Sequence, residues 1–79
     1  MAIDRAELRW QCRRGLLELD YLLEAFLDRG YDTLDEAEKG RFADLLRNAD
    51  PDLQAWLVHA RPPPADLAGL IARIRETRP

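Results

Sequence analysis

From Asp4 to the last arginines, apolar residues recur three and four positions apart, and no alternating stretch is rich in Val, Ile and Thr. That single regularity leaves little choice of fold, because a half-buried strand needs a period of two and a helix face a period near 3.6. Leu67, Leu70, Ile71 and Ile74 keep the i, i+3, i+4, i+7 order. Leu16, Leu19, Leu23 and Phe26 form another stripe, widened by Leu22, Ala25 and Leu27. The only valine is Val58, and no run rich in Val, Ile and Thr suits a sheet. The chain therefore reads as all-α, a small five-helix bundle with no β-sheet. Its 79 residues suit one domain, residues 1–79.

Local signals divide the chain into five helices. Asp4 is placed to cap the first, with Glu7 at capping-box spacing. Leu8 and Cys12 form one i,i+4 row of that helix, and Arg5, Arg9 and Arg13 another. Gly15 interrupts it. The second helix runs from about Leu16 to Arg29, with Gly30 as its C′ residue. Thr33 opens the third, with Glu36 at capping-box spacing, and that helix ends near Asn48. Asp50 and Pro51 open the fourth as N-cap and N1, and its apolar face is Leu53, Trp56, Leu57 and Ala60. Three prolines, Pro62 to Pro64, stop it and act as a hinge before the fifth. The predicted core is Leu16, Leu19, Leu23, Phe26, Phe42, Leu45, Leu53, Trp56, Leu57, Leu70, Ile71 and Ile74.

Charge is unevenly spread. Residues 1–14 hold four arginines and two acids, residues 18–52 eleven acids and four basic residues, and the whole carries −3. A general nucleic-acid binder needs a positive excess, so no nucleic-acid partner is expected. A basic start beside an acidic middle suggests a surface for a specific charged partner. No apolar run is long enough to span a membrane and no signal-type segment opens the chain, so direct membrane insertion is not expected. The one cysteine can form no internal disulfide, and a cytoplasmic location follows most simply.

Catalytic and metal chemistry have little to work with. There is no serine, and one histidine with one cysteine makes no zinc set. Cys12 and His59 could be written as nucleophile and base. Cys12 follows Leu8 at core spacing, however, and His59 suits the negative end of a helix. The chain is read as no enzyme, with no metal site.

The stretch "CRRGLLELD", Cys12 to Asp20, makes the oddest choice. Glycine inside a helix costs roughly 1 kcal/mol against alanine. Gly15 lets one helix end and another begin, and it leaves bare backbone that a partner can approach. Arg14 offers a planar fork of donors, and Glu18 stands i,i+4 from it, one helical turn away. From the residues alone, a plain hinge with a surface ion pair and a contact site are both open.

Longer stretches carry a resemblance. "RWQCRRGLLELD", with an R-G-x-x-E motif on Arg14, Gly15 and Glu18, resembles the N-terminal signature of the SdhE family, succinate dehydrogenase assembly factor 2. "YDTL", from Tyr31 to Leu34, is similar to that family's entry to the third helix, and "DPDLQAWL", from Asp50 to Leu57, to its D-P-D-L-x-x-W-L segment. The three keep their order from about Arg9 to Ile74. The chain lacks the longer C-terminal tail of some members, so tail-dependent contacts are not expected.

The resemblance implies a non-catalytic assembly factor. Such proteins bind the flavoprotein subunit of succinate dehydrogenase, and in some bacteria that of fumarate reductase, and promote covalent attachment of FAD to it. The flavin belongs to the partner, so no tightly bound cofactor is expected here. With the resemblance, Arg14, Gly15 and Glu18 read as partner contacts, joined by Arg9, Trp10, Arg13 and Asp32. Trp10 fits equally as core or as an exposed anchor. The competing reading is a generic helical protein-binding regulator, or an antitoxin-like protein, with no flavin role.

Overall fold

The computed structural model describes residues 4–77. They form five helices and, among the described residues, no strand: α1 (Arg5–Gln11), α2 (Leu17–Arg29), α3 (Glu36–Leu45), α4 (Asp50–Leu57) and α5 (Ala68–Glu76). Short 3-10 turns at Tyr31–Thr33 and Ala65–Leu67 precede α3 and α5.

The central element is α2. Leu19, Leu22, Leu23, Ala25, Phe26 and Leu27 are all buried on it, so its apolar face spans more than half its circumference. It packs against α1, α4 and α5, while α3 packs against α5. Phe26 meets Phe42 of α3 with ring centroids 5.4 Å apart, and Tyr31 lies 5.6 Å from the same Phe42 ring. Leu8 and Cys12 of the first segment are buried on this core, as are Leu53 and Leu57 of α4 and Leu70, Ile71 and Ile74 of α5. Of the predicted core, Leu16 and Trp56 are corrected: both are partly buried and pack on the rim of the cluster.

Several helix ends differ from the sequence reading. Asp4 caps α1 by accepting from the Ala6 N–H at 3.4 Å. The helix stops at Gln11, before Gly15 is reached, and Arg13 donates its N–H to the Trp10 carbonyl at 3.1 Å. The capping box of α3 belongs to Asp35 and Glu38, not to Thr33 and Glu36. Asp35 accepts the Glu38 N–H at 2.8 Å, and Glu38 Oε1 accepts the Asp35 N–H at 3.2 Å. Thr33 is unavailable because its hydroxyl donates back to the Gly30 carbonyl at 2.6 Å, and Leu34 must first run extended into the core.

At α4 the N-cap is Ala49, so Asp50 and Pro51 stand one position further into the helix than read. Ala60 is not on the apolar face. It takes φ 56 in the closing turn, where the Arg61 N–H reaches the Ala55 carbonyl at 2.8 Å. Gly30 does end α2, with φ −116 and no left-handed turn. Its missing side chain serves packing: a Cβ there would stand 2.6 Å from Phe26 Cε1.

Candidate functional site

The arginine row of the first segment closes on an acidic row made by Glu24 and Asp28 of α2 and Asp32 of the 3-10 turn after it. Arg5 pairs with Asp32, Arg9 with Asp28 and, at 3.7 Å, with Glu24, and Arg13 reaches Glu24 at 3.9 Å. The order runs oppositely in the two segments, so every fourth residue of one meets every fourth residue of the other, as an antiparallel helix pair requires. Arg5 also donates to the Leu27 carbonyl at 2.8 Å and lies 5.4 Å from the Tyr31 ring centroid. The hydrogen bond to Asp28 holds the Arg9 guanidinium's pKa above its usual value. The uneven charge that suggested an outside partner is thus answered largely within the chain. Each exposed pair adds little stability by itself, but together they set the register of α1 on α2.

Between these helices the chain turns at Arg14 and Gly15. Gly15 has φ +79, the left-handed region that residues with a Cβ rarely adopt. It is exposed, and a Cβ built on it meets nothing within 4 Å. The turn is held from beneath by Asp20, whose two carboxylate oxygens accept the Arg14 N–H at 2.7 Å and the Gly15 N–H at 3.1 Å.

The arginine of the motif points inward. Its side chain is 18% exposed, donates to the Leu46 carbonyl and lies 3.4 Å from Asp50 Oδ1. Arg14 precedes α2, so it and Glu18 do not share a helix, and the one-face pairing expected from i,i+4 spacing is corrected. Glu18 is exposed on the first turn of α2.

Trp10 is not core: it is 73% exposed. Two large apolar side chains that follow the turn are also exposed, Leu17 at 90% and Tyr21 at 45%, and they stand i,i+4 on α2. The structure therefore brings an open glycine, an exposed acid and exposed aromatic and aliphatic groups into the segment from residue 10 to residue 21. Asp32 lies apart from this turn, at the far end of the ion-pair ladder with Arg5.

Asp20 and the Leu46 carbonyl were not singled out in the sequence, and Asp50 was read only as a helix cap, not as a partner of Arg14. Asp20 follows Arg14 by six residues, an offset that no helix or strand period marks. Leu46 follows the last residue of α3 and Asp50 is the first of α4, and no local pattern links them to residue 14.

Cys12 is fully buried, and that burial, with Glu24 nearby, pushes its thiol up to about 12. Such a thiol stays protonated near neutrality and is a poor nucleophile. His59 is exposed in the turn that follows α4. Among the described residues, no group of three or more His, Cys, Asp and Glu could hold a metal ion. No helix among them is long and apolar enough to cross a membrane.

Comparison with known proteins agrees with the resemblance of the motifs. Residues 6–78 match the model of a family described as "Flavinator of succinate dehydrogenase". The FAD assembly factor SdhE of Idiomarina loihiensis is 48% identical over 69 residues, which cover 86% of this chain and 77% of that protein. The protein of the same name from Pectobacterium atrosepticum is 40% identical over 77 residues, 95% of this chain and 88% of its own. That from Vibrio cholerae is 40% identical over 74 residues, 92% of this chain and 86% of its own. No solved structure matches.

Proposed function

Because the chain belongs to the family of succinate dehydrogenase flavinators, we propose that it binds the flavoprotein subunit of succinate dehydrogenase and promotes covalent attachment of FAD to that subunit. The observation that carries this reading is the family match over residues 6–78, which spans the whole Gly15 turn.

In this reading the chain does no chemistry of its own. The flavin bond forms within the flavoprotein, and the small helical protein favours the arrangement in which it forms. A neutral, buried Cys12 supports a non-catalytic role. Docking uses the segment around the turn. Gly15 lets partner backbone come close, because nothing projects from it. Glu18 supplies a charge near the contact, and Trp10 supplies an amphipathic anchor of the kind that dominates interfaces. Arg9, Arg13 and Asp32 contribute through the ladder that fixes α1 beside α2, with Arg13 the most open of the three arginines. The flavoprotein of fumarate reductase, whose FAD is attached in the same manner, is a second client of this reading. A cytoplasmic location suits a chain whose one thiol is buried and free.

The test is complementation. In cells lacking their own factor, this chain restores flavin fluorescence of the denatured dehydrogenase subunit in a gel, and a folded Glu18→Ala variant restores markedly less. Restoration by Glu18→Ala equal to that by the wild-type chain overturns the assignment of this surface. No restoration by the wild-type chain overturns the function.

A further inference from the structure

An acid near the start of a helix ordinarily serves the unpaired N–H groups of its own first turn. Asp20, in the first turn of α2, does something else. Both its oxygens reach back over the helix start to the N–H groups of Arg14 and Gly15, at 2.7 and 3.1 Å. Its own N–H is already satisfied by the Leu16 carbonyl at 2.8 Å, so Asp20 is anchored at both ends. Two successive backbone donors thus converge on one carboxylate, the arrangement by which turns hold anions.

Gly15 has no side chain with which to fix itself, and open space lies where a Cβ would be. Glycine visits φ values of either sign almost equally, so a free Gly15 would not hold φ +79. The carboxylate beneath supplies what the missing side chain does not. It selects one orientation for two peptide planes from the inner side and leaves the outer side bare. Arg14 adds a second tie through the Leu46 carbonyl and Asp50, but that tie holds a side chain rather than the backbone at Gly15.

We infer that Asp20 is the positioning residue of the docking turn: its carboxylate presets the Arg14–Gly15 backbone in the shape the flavoprotein meets. The inference rests on the function proposed above and names the residue that prepares its contact surface. Asp20 need not touch the partner. Its effect is that the turn does not have to be ordered at the moment of docking, which is where preorganised loops gain affinity.

The experiment compares the full chain with Asp20→Asn, Asp20→Ala and Glu18→Ala, using the apo flavoprotein subunit of succinate dehydrogenase as the probe. Three readouts are taken: a thermal melt, the dissociation constant at a temperature where each variant is fully folded, and hydrogen exchange of the Arg14 and Gly15 amides. Wild-type protein should protect both amides. Asp20→Asn should lose protection at one or both and bind about tenfold or more weakly while still folded, the scale set by freeing the backbone of one or two residues. Glu18→Ala should weaken binding with both amides still protected, which separates a contact from a positioning group. If Asp20→Ala does not fold, Asp20→Asn carries the comparison. Unprotected amides in the wild-type chain overturn the inference, as does wild-type affinity in a folded Asp20→Asn with its amides released. Failure of the wild-type chain to bind overturns the proposed function, and the positioning role with it. Lost binding in Asp20→Asn beside intact wild-type binding can have no such origin.

Discussion

Replacing Gly15 by alanine separates backbone cost from surface cost. At φ +79 a residue with a Cβ is strained by roughly 1–2 kcal/mol. Alanine also narrows the unfolded ensemble, which returns about 0.4–1 kcal/mol. No atom lies within 4 Å of the new Cβ, so no steric term is added. The net loss should be about 1 kcal/mol, a fall in Tm of roughly 4–8 °C for a domain of this size. Gly15→Asn should lose less, because asparagine tolerates the left-handed region better. Gly15→Arg carries nearly the same backbone cost as alanine but projects a long side chain from the bare side. A circular-dichroism melt and urea unfolding measure the first effect, and flavin fluorescence of the dehydrogenase subunit measures the second. Alanine and arginine should match in stability and differ in flavinylation. A Gly15→Ala chain as stable as wild type, or one weakened by more than about 3 kcal/mol, refutes the backbone argument. Equal flavinylation by the two variants refutes the docking role of the turn.

Three further outcomes follow from other positions. Gly30→Ala should cost more than Gly15→Ala, about 1–3 kcal/mol, since its Cβ meets the buried Phe26 ring at 2.6 Å; a melt within 2 °C of wild type contradicts this. Arg14→Ala should destabilise by about 1.5–3 kcal/mol through loss of its charged donor to the Leu46 carbonyl, so its flavinylation defect must be read against its melt, and an unchanged urea midpoint would show the inward tie to be unimportant. Cys12 titrates upward in the folded state, to about 12 from an ordinary value of 9.0, so the unfolded chain releases this proton first and folding stability should fall as pH rises from about 9 towards 12. Cys12→Ala should remove that part of the alkaline slope, and an identical slope in the variant refutes the assignment.

The resemblance in three motifs led to the right family, and periodicity led to the right fold class. Leu19, Leu23, Phe26 and Phe42 could be read as core because each repeats at helical spacing beside others of its kind. Helix starts were less legible where two candidates compete. Thr33 and Asp35 both precede a glutamate by three residues, and only the inward run of Leu34 selects Asp35. The ion-pair ladder was half legible. The row of Arg5, Arg9 and Arg13 stood out, and so did the acids of α2, but nothing local said that the two would face each other instead of a partner.

Amino-acid order alone determined that the chain is helical, how many helices it makes and most of the apolar stripe of each. Those properties depend on residues within one or two turns of each other, and a linear reading contains them all. Only the tertiary structure decided which charged groups are spent inside the fold. Arg14 looked outward by its spacing from Glu18, yet its partners are Leu46 and Asp50, more than thirty residues away. Asp20 looked like one acid among many, yet it holds the turn at Gly15 because α1 ends early and the chain folds back over the start of α2. A hydrogen bond of about 3 Å is settled by where two segments meet in space, and periodicity within either segment does not contain that information.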